Sequence, residues 1–408
     1  MTLYDNFITN NDNIYYIKNN NENKYSNKDI INYFINNKIS DETFDDPFYI
    51  VNLKIIEDLY NRWVENLPNI KPYYAIKCNP NIKIIETLEK LGCNFDCASK
   101  EEIKTILDIT NDEKRIIFAN PCKSISHIKY AKNNNVSLIT FDCIEELYKI
   151  KTYYPTANIV LRLAVDDSKS LCQFNSKFGC KLDNTLIKIF KEIKELDMNL
   201  VGFSFHVGSG CYSADCYYTA LKDCRYAYDI AKKEEYNFDI KMIDIGGGFY
   251  GINKKNSVNF DDIIKMIKKG QNDFFGDIID NIEFIAEPGR YFTESSHTLV
   301  VNVTSKKKEE NTIKYYINDG AYGSFNCIHY DYQEPILIQL NTSSYSNKYN
   351  SIFFGPTCDS MDFIYKNVMY NELEIGDWLY IENFGSYTNA PGASFNGFKT
   401  TDIKYIYY

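Results

Sequence analysis

The sequence predicts an α/β protein in which a (β/α)8 barrel of the TIM type is joined to an all-β domain. Between Phe48 and about Gly289, eight short apolar runs each end in a polar or glycine-rich stop and lead into a helical pattern. Strands that alternate with helices are parallel, because parallel neighbours need a crossover, and eight such units close a barrel in about 250 residues. An open, doubly wound sheet is the alternative that this pattern leaves open.

The eight runs share β-prone, apolar residues and a polar or glycine-rich end. They are Pro72–Cys78, Phe95–Ser99, Ile116–Pro121, Ser137–Asp142, Asn158–Val165, Leu200–Gly208, Met242–Gly248 and Ile282–Gly289. After the second run, Ser99 and Glu102 have the capping-box spacing, in which two side chains satisfy the end donors of a helix reciprocally. We therefore expect each run to be one barrel strand followed by one helix.

Beyond the eighth run, the helical period gives way to alternating β-type segments. Residues 298–304 and 312–318 flank a charged turn and predict a hairpin. We expect three parts: residues 1–46 as an N-terminal segment that joins the β domain, residues 47–289 as the barrel, and residues 290–408 as a C-terminal β domain.

Composition and charge disfavour several classes of protein. The net charge is −10 and the 45 basic residues form no stripe, which disfavours nucleic-acid binding and favours a small cationic substrate. The 12 cysteines have no CxxC spacing and lie far in sequence from the 4 histidines, so no metal site is predicted. We see no signal-peptide pattern and no apolar run of about 18 residues, so we expect no membrane partner and a cytoplasmic location.

Polar side chains fall at the carboxyl ends of the eight runs, where a barrel of this type carries its chemistry. They are Lys77, Asp96, Asn120, Asp142, Arg162, His206, Gly246–Gly248 and Glu287. Lys77 is the most informative, because a lysine in a desolvated site has a free amine for Schiff-base chemistry. A solvated lysine at a strand end is the alternative interpretation of that residue taken alone.

The triple glycine Gly246–Gly248 exposes successive backbone N–H groups and suits a phosphate, although a plain tight turn also explains it. Ser209 can add a hydroxyl to such a site, and Arg290 a guanidinium. The motif GxxxxGK[ST] is absent from these glycine segments, so no nucleoside triphosphate is implied. A phosphate site beside Lys77 and the carboxylate of Glu287 indicates pyridoxal phosphate as the cofactor.

Further segments extend this pattern along the chain. They are Pro72–Asn79, Phe95–Ser99, Ile117–Lys123, Phe205–Gly210, Asp244–Phe249, Glu287–Phe292, Asp319–Asn326, Gly355–Asp359, Gly385–Thr388 and Phe395–Phe398. In these segments, from about residue 45 to 400, the chain resembles the ornithine decarboxylase branch of the pyridoxal-phosphate enzymes with the alanine-racemase-like fold. The resemblance implies a decarboxylase of a basic amino acid.

The resemblance also implies roles for individual residues. Lys77 would hold the cofactor aldehyde, Glu287 would keep the pyridine nitrogen protonated, and His206 would lie against the ring. The remaining cofactor contacts would come from Asp96, Arg162, Ser209, Gly246, Gly247, Gly248, Gly289, Arg290 and Tyr387.

Cys358 would arrive from a second subunit and protonate the carbon that has lost carbon dioxide, which implies a homodimer. A thiol suits this task because its pKa lies near the working range. A small buried apolar side chain is the alternative interpretation of the same residue.

The resemblance implies that the distal ammonium of the substrate would meet Asp331 and Asp359, with Tyr330 and Phe395 beside them. We therefore predict decarboxylation of L-ornithine to putrescine. A preference for lysine or arginine stays open, because one methylene changes binding by only about 1–3 kcal/mol. A catalytically inactive homologue of the antizyme-inhibitor kind, which would bind a regulator, is disfavoured by the retained cofactor residues.

Two departures from the family pattern bear on this choice. Ser360 stands where many relatives have glycine, and Tyr332-Gln333-Glu334 differs from the usual sequence after Asp331. Both leave the chain-length selectivity open.

Overall fold

In the computed structural model, the described residues are 7–9, 13–17, 25–38, 44–252, 258–341 and 347–408. The strands are β1 (Phe7–Thr9), β2 (Ile14–Ile17), β3 (Phe48–Asn52), β4 (Ile70–Ala75), β5 (Asn94–Cys97), β6 (Ile116–Phe118), β7 (Leu138–Phe141), β8 (Asn158–Arg162), β9 (Ser170–Cys172), β10 (Asn199–Ser204), β11 (Ser209–Cys211), β12 (Met242–Asp244), β13 (Glu283–Ala286), β14 (His297–Lys308), β15 (Thr312–Ile317), β16 (Ile338–Gln339), β17 (Lys348–Phe354), β18 (Phe363–Asn371), β19 (Trp378–Glu382) and β20 (Asp402–Tyr407). The α-helices are α1 (Asn27–Lys38), α2 (Leu53–Asn66), α3 (Ile82–Lys90), α4 (Lys100–Thr110), α5 (Ile125–Asn133), α6 (Ile144–Tyr153), α7 (Asn184–Glu195), α8 (Asp215–Ala231), α9 (Phe260–Phe275), α10 (Arg290–Thr293) and α11 (Cys327–Tyr330).

The chain divides into two compact units, which we call the barrel unit (Glu57–Phe292) and the β unit (residues up to Ile56 and from Thr293). In the barrel unit, the described strands β4, β5, β6, β7, β8, β10, β12 and β13 are parallel neighbours in that order, and β13 pairs with β4 to close the barrel. Each of the predicted runs overlaps one of these strands, so the predicted (β/α)8 barrel is confirmed. A small antiparallel ribbon of β9 and β11 lies outside the barrel sheet.

The barrel core is built from side chains of several strands that pack against one another. Tyr73, Ile117, Val160, Met242 and Ile285 form one buried cluster from β4, β6, β8, β12 and β13. Burying each such side chain contributes roughly 1.5–3 kcal/mol, which is the main favourable term available to hold the strands together. A rigid cylinder of this kind fixes the positions of the residues at its rim.

In the β unit, strands follow the order β1-β2-β20-β3-β14-β15-β17-β18, and β19 pairs with β14 and β16. The hairpin predicted for residues 298–304 and 312–318 is confirmed as the antiparallel pair β14 and β15. The N-terminal strand β2 pairs with the C-terminal strand β20, so the N-terminal segment does complete the β domain.

The strand β3 lies outside the barrel, contrary to the start of the barrel that the sequence suggested at residue 47. Its residues pair with β14 and β20 of the β unit. The run Phe48–Val51 is buried along its length, and an unbroken apolar run is expected both for a barrel strand and for a covered strand of a mixed sheet such as this one. The units therefore meet in sequence at residues 56 and 292 rather than at 46 and 289.

Among the residues that the structure describes, no helix combines the length and the apolar character that crossing a bilayer requires.

Candidate active site

The carboxyl ends of the barrel strands carry the polar residues that the sequence singled out. Asp96 lies on β5, Arg162 ends β8, and His206 follows β10. Lys77 and Glu287 follow β4 and β13, each within two residues of the strand end. Because the strands are parallel, their carboxyl ends share one rim of the barrel.

Lys77 is held on a short 3-10 turn, Ile76–Cys78, between β4 and α3. The Tyr74 hydroxyl donates to the Asn79 carbonyl (2.8 Å), and the side chain of Asn81 caps α3 by accepting from two backbone N–H groups. These contacts stop the strand and start the helix within a few residues, so the turn has little freedom. The predicted position of Lys77 at the end of a strand is confirmed.

The Nζ atom of Lys77 contacts the Asp96 carboxylate, which belongs to the neighbouring strand. The Asp96 side chain is 1% exposed, whereas the Lys77 side chain is 44% exposed. Within the described part of the chain, the second Asp96 oxygen, Oδ1, is buried without a hydrogen-bond partner. The buried Asp96 carboxylate therefore orients the Lys77 amine, while the lysine side chain remains accessible to solvent.

A pair of carboxyl groups faces the rim at the ends of β12 and β13. Asp244 is fully buried, its Oδ1 accepts the N–H of Gly246 (2.9 Å), and its charge acts on the carboxyl of Glu287. Burial raises the pKa of Asp244 to about 7, and burial together with the Asp244 charge raises the pKa of Glu287 well above its usual value. Two buried carboxylates that repel each other cannot both ionise readily, so the pair retains a proton near neutral pH.

Asp244 was not predicted to be a site residue, although its sequence carries a signal. It is a charged residue inside the apolar run Met242–Ile245, and a buried charge needs a partner. The partner, Glu287, lies 43 positions further along the chain, and only the closed barrel brings the two together.

His206 presents a neutral imidazole. Its Nδ1 accepts the N–H of Gly208 (3.0 Å), and the ring of Phe174 meets it edge-on with centroids 4.9 Å apart. Burial, followed by the nearby charges of Arg162 and Lys77, lowers the pKa of His206 well below its usual value. Because Nδ1 is an acceptor, the hydrogen of the neutral ring is assigned to Nε2.

The triple glycine is required by close packing against the His206 segment. A Cβ on Gly247 would lie 2.8 Å from His206 Nε2 and 2.9 Å from the Glu287 carbonyl. Gly246 and Gly248 have φ values of +65° and +98°, which side-chain-bearing residues rarely adopt. The glycines thus bring an unobstructed backbone next to the histidine and the carboxyl pair.

Two further predicted residues meet beside this turn, since Arg290 Nη2 donates to the Ser209 hydroxyl (3.3 Å). Gly289 packs against the lysine turn, where an added Cβ would lie 2.9 Å from the Cys78 Cβ. A hydroxyl, a guanidinium and a bare backbone therefore stand on the same rim as Lys77.

In the β unit, three of the predicted residues share one cluster. The Tyr322 hydroxyl donates to Asp359, and the Phe395 ring stacks on Tyr322 with centroids 4.4 Å apart. The N–H of Cys358 donates to Asn396 (3.0 Å), and the Cys358 side chain is exposed. Tyr322 and Asn396 were not predicted to be site residues. Tyr322 binds Asp359 and Asn396 binds Cys358, in each case across a large separation in sequence.

Asp331 and Tyr387 belong to a second cluster of the β unit. Asp331 is 7% exposed and accepts from Gln333 Nε2 (2.6 Å), and the same amide nitrogen donates to the carbonyl of Ser386 (2.8 Å). Tyr387 has a φ of +56°, a conformation that costs a non-glycine residue about 1–3 kcal/mol. Tyr330, beside Asp331, is 72% exposed.

The model of the family described as "Pyridoxal-dependent decarboxylase, pyridoxal binding domain" matches residues 53–294, which is more than half of the chain. The chain belongs to this family.

Curated and solved relatives agree with that assignment. The "Probable ornithine decarboxylase" of Dictyostelium discoideum is 44% identical over 90% of this chain and 80% of its own length. Antizyme inhibitor 2 of Xenopus laevis is 40% identical over 90% of this chain and 83% of its own. The crystal structure of the Paramecium bursaria Chlorella virus arginine decarboxylase has a TM-score of 0.87 at 33% identity, covering 93% of this chain and all of that one.

The cofactor of this decarboxylase is pyridoxal phosphate, and the barrel rim fits it chemically. Among the described residues, Asp96 Oδ1 and the Nε and Nη2 atoms of Arg162 are buried polar atoms that no protein group satisfies. A ligand that carries both donors and acceptors matches such a set. The Ser209–Arg290 pair and the glycine turn suit the phosphate.

Proposed function

We propose that this pyridoxal-dependent decarboxylase acts on L-ornithine and releases putrescine and carbon dioxide. The observation that carries the chemistry is the contact between Lys77 and the buried Asp96 on the rim that also bears the Asp244–Glu287 pair. The observation that supports ornithine is the presence of two carboxylates, Asp331 and Asp359, in the β unit of a chain whose Dictyostelium relative is named for this substrate.

Bound pyridoxal phosphate supplies an aldehyde that takes up the substrate amine and a ring that accepts the electron pair left by departing carbon dioxide. Lys77 would hold the cofactor through Nζ, and Asp96 would direct that atom. Glu287 would hold a proton at the ring nitrogen, a task suited to a carboxyl whose pKa is raised. The neutral ring of His206 would offer an uncharged face, so that it does not compete for the electrons.

We propose that Ser209, Arg290 and the glycine turn bind the phosphate, and the family resemblance adds Tyr387 to this set. The positively charged Arg290 meets the Ser209 hydroxyl, so both donors converge. Arg162 and Gly289 would complete the surroundings, the first through its unsatisfied nitrogens and the second by its close approach to the lysine turn.

We propose that the far ammonium of the substrate binds Asp331 and Asp359, beside Tyr330 and Phe395. A desolvated ammonium needs a paired carboxylate, and the Asp359 pKa is lowered by hydrogen bonds from the Met361 N–H and the Tyr322 hydroxyl, which keeps it ionised. The distal carboxylate of a substrate such as diaminopimelate would be repelled by this pair.

Steady-state rates on ornithine, lysine and arginine test the substrate assignment, with Lys77→Ala as the inactive control. We expect kcat/KM to be highest for ornithine. A higher kcat/KM for lysine or arginine would move the chain to the runner-up substrates. Binding of a partner protein without turnover of any of the three amino acids would favour an activity like that of antizyme inhibitor 2.

We also propose that the active unit is a homodimer in which Cys358, together with the adjacent Asp359, serves the site of the partner subunit. The exposed Cys358 Sγ would deliver the proton to the carbon that loses carbon dioxide. Mixing the inactive Lys77→Ala subunit with the slow Cys358→Ala subunit should raise the activity above that of either variant alone, because one hybrid site then contains both groups. Mixtures no more active than the separate variants would contradict the shared site.

A cytoplasmic location is part of the proposal. Buried thiols such as Cys93, whose pKa burial raises to about 12, and Cys224 fit a reducing compartment. Fractionation of cells that express the chain would test this; recovery with the membranes or in the medium would contradict it.

A further inference from the structure

Gln333 joins two segments of the β unit through one amide nitrogen. Its Nε2 donates to the Asp331 carboxylate (2.6 Å) and to the Ser386 carbonyl (2.8 Å). Asp331 and Ser386 are buried, and Gln333 is half-buried, so little water competes for these bonds. An amide NH2 group has two hydrogens, and both are directed at acceptors.

The backbone sets up this arrangement at the end of α11. The N–H groups of Asp331 and Gln333 both donate to the Cys327 carbonyl, at 3.0 and 3.1 Å. Tyr332, between them, has a φ of +53° and a side chain that is 62% exposed. Tyr332 therefore points outward, while the backbone N–H groups of Asp331 and Gln333 bind the same Cys327 carbonyl. This arrangement brings the Asp331 and Gln333 side chains into contact.

We propose that Gln333 is a positioning residue that sets the direction of the Asp331 carboxylate and ties it to the Ser386–Tyr387 segment. The inference rests on the proposed function, in which Asp331 binds the distal ammonium and Tyr387 the phosphate. The distance between these two ends of the site decides which diamino acid fits. Gln333 therefore determines affinity and chain-length selectivity without touching the reacting carbon.

The local chemistry requires a neutral donor at this position. A carboxylate at position 333 would place an acceptor against two other acceptors, the Asp331 carboxylate and the Ser386 carbonyl. An aliphatic side chain at this position would remove the hydrogen-bond donor that both of them now share.

Gln333→Leu tests the proposal, with Glu334→Gln as the matched control at the exposed neighbouring position. In the cofactor-loaded enzyme, Gln333→Leu should raise the KM for ornithine about tenfold and change kcat by less than about twofold, because the lost interaction is one of binding. The ratio of kcat/KM for ornithine over lysine should fall about fivefold, since the carboxylate is no longer fixed at one distance. Glu334→Gln should leave both quantities unchanged.

A double-mutant cycle with Asp331→Asn separates positioning from general disturbance. If Gln333 acts through Asp331, Gln333→Leu should add less than about a twofold increase in KM in the Asp331→Asn background. Full additivity of the two changes would overturn the proposal, as would a KM and selectivity for Gln333→Leu equal to those of Glu334→Gln.

Misfolding of Gln333→Leu and a different preferred substrate can both be distinguished from these results. If Gln333→Leu does not fold, Gln333→Glu, which has the same size, should raise the KM at least as much, and an unchanged KM would overturn the proposal. If the wild-type enzyme prefers lysine or arginine, the ornithine assignment fails, and the same cycle on the preferred amino acid still decides whether Gln333 acts through Asp331.

Discussion

The Lys77 ammonium contacts the Asp96 carboxylate across two adjacent barrel strands, and nearly all of the exposed surface of this pair belongs to the lysine. A half-exposed ion pair contributes little to folding stability, so the contact is better understood as aiming the amine.

We expect Asp96→Asn to weaken pyridoxal phosphate binding about tenfold, or ~1.4 kcal/mol, because Lys77 loses the charge that directs it. Titration of the apoprotein, followed by the visible absorbance of the bound cofactor, measures the change. Glu101→Gln, an exposed carboxylate on α4, is the control. Equal affinities in Asp96→Asn and the wild type would show that the contact has no such role.

The Asp244–Glu287 pair predicts a shift in protonation that can be read without turnover. The Asp244 charge is one of the causes that raise the Glu287 pKa, so Asp244→Asn should lower it. Infrared titration of the apoprotein, with Glu287→Gln to assign the carboxyl band, should show the Glu287 midpoint at a lower pH. A midpoint that stays in place or rises would contradict the coupling.

Cys358→Ala should lower kcat at least tenfold and divert part of the reaction to misprotonated product, while the cofactor stays bound, because only the proton donor is lost. Cys122→Ala is the matched control, since Cys122 is also exposed but lies on the barrel unit. Product analysis measures the misprotonated product, and visible absorbance measures the bound cofactor. Kinetics of Cys358→Ala that match those of Cys122→Ala would remove the thiol from the mechanism.

His297 predicts an acid-sensitive term in the stability of the β unit. The ring is buried beside the Ser296 hydroxyl (2.8 Å), and burial lowers the His297 pKa to about 3. Between this pKa and the ordinary value of about 6.5, the unfolded chain binds a proton at His297 and the folded chain does not. The free energy of unfolding therefore decreases as the pH falls from about 6.5 towards 3.

From pH 7.5 to 5.0 this term amounts to about 2 kcal/mol. In urea unfolding, wild type should lose about that much more stability over this interval than His297→Gln does. His329→Gln, at an exposed position, should lose as much as wild type. Equal losses in wild type and His297→Gln would contradict the buried neutral imidazole.

The sequence was sufficient for the barrel and for most of its rim, because each strand end is encoded locally by an apolar run and a polar stop. The sequence-based prediction placed β3 in the wrong unit, because an apolar run does not indicate which sheet the strand will join. It did not reveal that Asp244 pairs with Glu287, or that Tyr322 holds Asp359, because these contacts join residues far apart in the chain. Gln333 was visible only as a departure from a family pattern, and its function depends on a hydrogen bond to Ser386.

The central claim is that Lys77 binds the cofactor. Reduction of the loaded protein with borohydride fixes the cofactor to the amine that holds it, and peptide mapping identifies that residue. We predict a single modified lysine at Lys77, absent from Lys77→Ala. Modification of a different lysine, or no modified lysine in a protein that retains full activity, would contradict the account.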